Sequence, residues 1–200
     1  MKRRITRNKR KTNRFIGCFT ILVVIFLIVP LSITLVNSNT KSQTIEEQLK
    51  GVSKNTELNI EDKNALITIK NASGISSGNL FINVGFPEIV AKDLKILKNE
   101  GYENILIKVI TDFVNDKGNE YEGVLMSALF ENSTIQNINF ENWITKITAD
   151  SSSFYELSSA YYIQPKYYID NKNEQTIPKY NSKTSKILFW NYNAYLPEQN

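Results

Sequence analysis

The longest apolar run in the chain is Phe15–Val36, 22 residues without a charge (FIGCFTILVVIFLIVPLSITLV). As an α-helix it would extend roughly 33 Å, enough for about 30 Å of hydrocarbon. Lipid offers no partners to backbone amides, so a helix is the form required of such a span. Beyond it the pattern breaks into short elements. Asn37–Gln43 is polar and reads as a linker. Thr44 and Glu47 have the spacing of a capping box, which predicts a short helix through Leu49 to about Val52, a membrane-proximal stalk. Glu57–Lys63 is polar and reads as turns. Ala65–Lys70 and Leu80–Val84 are apolar, β-branched and aromatic, as strands are. Pro87 suits the first turn of a helix running to about Asn99, with Val90, Leu94 and Leu97 on one stripe and Gly101 as its stop.

Asn104–Val114 carries the clearest strand pattern. Ile105, Ile107, Val109 and Phe113 share one face, Lys108 and Asp112 the other. Leu106 and Ile110 on that second face imply that it too is partly covered. Asn115–Asn119 is a turn cluster with Gly118 free to take a positive φ, and Tyr121–Phe130 returns as the antiparallel partner. Ser133 or Thr134 can cap a short turn before Ile138–Trp143. Asp150 or Ser151 can cap another short helix, with Phe154, Leu157 and Tyr161 on one side. From Pro165 prolines are interleaved with Lys, Asn and Tyr, which predicts an extended or partly ordered tail. Within it Ile187–Trp190 reads as an edge strand or a docked aromatic plug. The expected fold class is α+β, a single N-terminal transmembrane helix followed by a small extracytoplasmic domain with a mostly antiparallel sheet packed on one main helix. The expected divisions are a basic end 1–14, the transmembrane helix 15–36, a linker and stalk 37–56, the domain 57–165 and the tail 166–200.

Charge sets the orientation. Eight of the 24 basic residues lie within the first fourteen positions, and no acid precedes Glu46. By the positive-inside rule the N-terminus stays in the cytoplasm and the C-terminus crosses. A cleaved signal peptide is the competing reading, though its apolar core is usually shorter, about 7–15 residues. Without those eight cations, 16 Lys face 20 acids, so the remainder is mildly acidic. All arginines lie at or before Arg14. An outer domain of that charge argues against nucleic acid as partner.

The chain has no histidine, and its one cysteine, Cys18, lies in the apolar run. That excludes an internal disulfide and a Ser-His triad at Ser151–Ser153. It also leaves the outer domain no soft metal ligand. Glu120 and Glu122 share a strand face and are the remaining candidates for carboxylate chemistry of the glycosidase type. Alternating charge on a hairpin is more often its solvated face, so no enzymatic activity, cofactor or metal is expected. Asp112 and Asp116 lack the spacing of a calcium loop. The aromatic residues Tyr155, Tyr162, Tyr167, Tyr168, Trp190 and Tyr192 form the candidate interface, since Tyr and Trp join large apolar area to a polar tip. Trp143 and Phe140 read as core.

Asp116-Lys117-Gly118-Asn119 followed by Ile138-Asn139-Phe140-Glu141-Asn142-Trp143 resembles small extracytoplasmic proteins of Gram-positive mobile and conjugative elements, over roughly residues 80–165. Those share a long hairpin with a D-x-G turn and an I-N-[FW]-x-N-[FW] segment. The resemblance implies a small α+β domain serving an envelope-spanning transfer or secretion machine, and no catalytic residues come with it. The expected function is therefore a membrane-anchored extracytoplasmic scaffold or assembly protein of a bacterial envelope machine. Its partners would be membrane lipid and other envelope proteins. A cell-wall carbohydrate-binding module and a wall-modifying enzyme are the alternatives.

Overall fold

The computed structural model of the chain describes residues 43–70, 85–171 and 178–195, all within one compact unit that runs from Gln43 to the C-terminus. The expected anchor 15–36, the basic end and the candidate strand Leu80–Val84 lie outside the described residues. Among the described residues no helix is long and apolar enough to cross a membrane.

Thr44 caps helix α1, Ile45–Val52, through the reciprocal pair expected. The Glu47 N–H donates to the Thr44 hydroxyl at 3.2 Å, and the Thr44 N–H donates to the Glu47 carboxylate at 2.8 Å. The helix is not a free stalk. Ile45, Leu49 and Val52 recur at helical spacing, and Leu49 is fully buried in the main core. The folded domain thus begins at α1, before the boundary at residue 57 expected from sequence.

Six strands form one mixed sheet in chain order: β1 Thr56–Glu61, β2 Asn64–Lys70, β3 Asn104–Val114, β4 Glu120–Glu131, β5 Ala160–Ile163 and β6 Ser182–Lys183. All neighbours are antiparallel except β2 and β3, which run parallel with helix α2, Gly85–Leu97, between them in sequence. Strand β1 corrects the expected turn. Its residues alternate between an apolar side, covered at Thr56 and Leu58 and open at Ile60, and an exposed polar side (Glu57, Asn59, Glu61). The chain reverses at Asp62, whose φ of 53° is left-handed, a conformation that Asp tolerates.

The β3–β4 hairpin closes through Asn115–Asn119 with Gly118 at φ 81°. The register steps between Val109 and Ile110, which leaves Leu125 as a bulge residue. After β4 come three short helices: α3 Asn132–Asn137, α4 Phe140–Ala149 and α5 Ser152–Leu157. Asn139 caps α4, its side chain accepting from the Asn142 N–H.

The main core lies on one face of the sheet. Val90, Leu94, Leu97, Ile105, Ile107 and Val109 are at most 1 % exposed, as their shared faces predicted. Phe154 anchors the aromatic part, edge-on to Phe86 and Tyr155 and stacked with Trp143. Helix α2 packs against both α1 and α4, with Lys95 paired to Glu141 on the α4 side.

The opposite face of the sheet is covered in part by the C-terminal stretch. Helix α6, Pro165–Asn171, follows β5, and α7, Leu188–Asn193, lays Phe189 and Trp190 over Leu66, Leu106, Leu129 and Ala160. The described part of the expected tail is therefore docked, and Ile187–Trp190 is a plug in helical form.

Candidate interaction surface

The tyrosines of the C-terminal third divide into three groups by burial. Tyr155 is 4 % exposed and packs edge-on against Tyr161 and Phe154 in the main core. Trp190 is fully buried on the inner side of α7. Neither presents a contact surface in this fold, because their helices turn these large apolar faces onto the sheet. Tyr162, Tyr167 and Tyr168 are half-buried. Tyr162 packs edge-on against Tyr195, which in turn packs on Trp190. The Tyr168 hydroxyl lies 2.9 Å from the Pro178 carbonyl and 2.7 Å from that of Lys179, and the Tyr161 hydroxyl donates to the Tyr180 carbonyl at 3.1 Å. These phenols hold the Pro178–Lys183 segment against the domain.

Only Tyr192 of the six expected interface residues is widely exposed, at 78 %. It has a neighbour that sequence reasoning passed over. Leu188 is 67 % exposed and stands one helical turn before Tyr192 on α7. The signal that locates this patch is the three- and four-residue spacing in Leu188–Asn193. Phe189 and Trp190 point one way and Leu188 and Tyr192 the other, so a helix held by its inner side presents the outer pair rigidly.

Beneath α7 lies an uncommon polar arrangement. Lys108, on the second face of β3 that Leu106 and Ile110 imply is partly covered, is 7 % exposed, and its ammonium donates to the Asn193 carbonyl at 3.1 Å. That places a cation at the C-terminal end of a helix, where backbone carbonyls lack partners. Burial lowers the Lys108 pKa, while Glu61 and Glu122 oppose the shift. Its cross-strand neighbour Ser127 is fully buried, with a hydroxyl that has no partner among the described residues. Lys108 and Ser127 are not hydrogen-bonded to each other, and α7 covers this part of the sheet, so the pair reads as a support for α7.

The candidate carboxylates are open to solvent. Glu120 and Glu122 are exposed on the hairpin, and Glu122 lies directly across from Asp112. Among the described residues no group of three or more acids, Cys or His is placed to hold a metal ion. Ser151 and Ser153 are buried at the start of α5. One further group stands out. Asp93 of α2 is 0 % exposed, neither of its carboxyl oxygens has a partner among the described residues, and burial raises its pKa to about 8. Comparison with family models, curated proteins and solved structures finds no match.

Proposed function

We propose that the chain is a membrane-anchored extracytoplasmic scaffold protein of a bacterial envelope machine, of the conjugative-transfer or secretion kind, which docks other envelope proteins through its outer domain. The observation that carries this reading is the outer face of α7, where Leu188 and Tyr192 are 67 % and 78 % exposed on a helix whose inner face is locked into the sheet. A rigid aliphatic and aromatic pair suits a protein interface, because little conformational entropy is lost when it is covered. The uncharged run at 15–36 and the basic cluster before it support an anchor, and only the polar stretch 37–43 separates that run from the cap of α1. Absence of histidine throughout the chain, and of cysteine after Cys18, supports docking over catalysis.

The test is crosslinking in intact cells, comparing the native chain with a Leu188→Ser/Tyr192→Ser variant. Truncation after Pro165 is a poor comparison, since it would strip Phe189 and Trp190 from the sheet. The scaffold reading requires a crosslinked protein partner that the double variant loses at unchanged protein level. Capture of no protein by the native chain, or of the same partner by the variant, refutes it.

A further inference from the structure

We propose that the outer edge of β1 receives an extended peptide in which cationic and apolar residues alternate, bound as an added strand. Chain order is sheet order, so β1 and β6 are the two edges. Strand β6 is two residues long, and its Lys183 is tied to the Ser158 carbonyl. Strand β1 pairs with β2 over six consecutive positions in unbroken register and contains no proline or lysine. The usual guards of an edge (shortness, a bulge, Pro or Lys) are therefore missing from it. The direction of its backbone groups follows from one bond. The Lys70 N–H donates to the Asn55 carbonyl at 3.0 Å, one position before the Thr56–Ile69 pair. Antiparallel pairs alternate between bonded and non-bonded, so Glu57, Asn59 and Glu61 turn their N–H and C=O to β2. Thr56, Leu58 and Ile60 turn theirs outward. Thr56 is buried, and the open stretch is at Leu58 and Ile60, the latter 52 % exposed. Among the described residues no strand pairs with this side. Backbone donors and acceptors at that spacing match those of an extended peptide.

The side chains of β1 narrow the choice. An added antiparallel strand sets the residues opposite Leu58 and Ile60 on the apolar side of the sheet. Those opposite Glu57, Asn59 and Glu61 fall on the polar side. That side carries two exposed carboxylates, Glu57 and Glu61. Glu57 is shared with one cation, Lys70 at 3.1 Å. Glu61 meets the side-chain amides of Asn59 and Asn193, each at 3.4 Å. Cations at alternate peptide positions find partners there, and acids are repelled. The residues between them meet Leu58 and Ile60, which favours apolar side chains. A second copy of this chain is the poorer occupant. Twofold antiparallel pairing of β1 with itself keeps like faces together and brings Glu57 and Glu61 alongside the same carboxylates of the other copy. This edge is a different surface from the one formed by Leu188 and Tyr192. The proposal therefore does not rest on the scaffold reading, and either can fail alone.

The experiment uses the full chain in a non-ionic detergent and the fluorescein-labelled peptide Thr-Lys-Val-Lys-Val-Lys-Thr, followed by fluorescence anisotropy at low ionic strength. Saturable binding is expected. N-methylation of the two Val amides, which face β1 in the proposed register, should weaken it about tenfold or more. N-methylation of two Lys amides, which face away, should leave it nearly unchanged. The same peptide with Glu for Lys should not bind. Ile60→Pro deletes an outward N–H and no bond to β2, and proline is tolerated on such an edge, so this variant should keep its far-UV circular dichroism and lose binding about tenfold or more. Glu57→Gln/Glu61→Gln should weaken binding severalfold and flatten its salt dependence. No saturable signal at millimolar peptide, equal affinity of the two methylated peptides, or unchanged affinity in Ile60→Pro would overturn the assignment. Self-association of the native chain that Ile60→Pro abolishes would overturn it too, giving the edge to a second copy.

Discussion

Asp93 should make the domain less stable as pH rises through neutrality. Its carboxyl group is fully buried on α2, on the flank with Ile89 and Ile96, away from the side on which Lys95 reaches α4. No described residue hydrogen-bonds it, and burial raises its pKa from 3.8 to about 8. The folded state therefore holds a proton that the unfolded chain releases above about pH 4. Stability from this group is fully present below about pH 4, declines between pH 4 and 8, and is flat above. Each pH unit in that window is worth about 1.4 kcal/mol, so roughly 4 kcal/mol is lost by pH 7. Asp93→Asn keeps the shape and cannot ionise. Urea unfolding of fragment 43–200 at pH 5, 6, 7 and 8 should show the native free energy falling by ~3–4 kcal/mol while the variant stays within about 1 kcal/mol. The variant should overtake the native protein near or above neutral pH. Parallel pH profiles for the two proteins would refute the reasoning.

Leu94→Ala removes a fully buried side chain from the main core and should cost about 2–5 kcal/mol in urea unfolding; a loss below half a kilocalorie, on the order of an exposed substitution, contradicts the packing. Trp190→Ala should cost about 3–5 kcal/mol, because α7 loses its hold on Leu66, Leu106 and Leu129. The same variant should expose Lys108 and return its pKa toward the ordinary lysine value, measurable by NMR titration. Gly101→Ala should cost about 1–2 kcal/mol although nothing crowds the site, since Gly101 has φ 79° after α2; an unchanged thermal midpoint would show that the turn relaxes.

The sequence was most informative where one face of an element is buried and both ends are punctuated. Strand β3 has the bounds expected, because Gly101 and the Asn115–Asn119 turn bracket a run of alternating apolar positions. The stripe of α2 was legible for the same reason. Strand β1 was hidden because an edge strand needs apolar residues on only one face, and Glu57, Asn59 and Glu61 give the other the composition of a turn. The C-terminal stretch was legible only at its Ile187–Trp190 plug, for a different reason. Its order comes from partners far away in the chain: Trp190 meets Leu66, and Lys108 meets Asn193. No local pattern announces such contacts. The interface candidates failed at Tyr155 and Trp190 because residue type alone does not tell an aromatic anchor from an aromatic core. Only the helical spacing around Leu188 separates the inner face from the outer.

If the scaffold proposal holds, the folded domain lies outside the membrane and the basic end inside, and cysteine labelling at a site away from Tyr192 tests that orientation. The chain has one native cysteine, Cys18, inside the apolar run, so introduced thiols are readily told apart. Lys117→Cys, in the exposed β3–β4 turn, and Lys9→Cys are each expressed in intact cells and treated with a membrane-impermeant maleimide. Position 117 should label rapidly in intact cells, and position 9 only after lysis. Labelling of position 9 in intact cells, or protection of position 117 until lysis, would contradict the orientation on which the docking proposal rests.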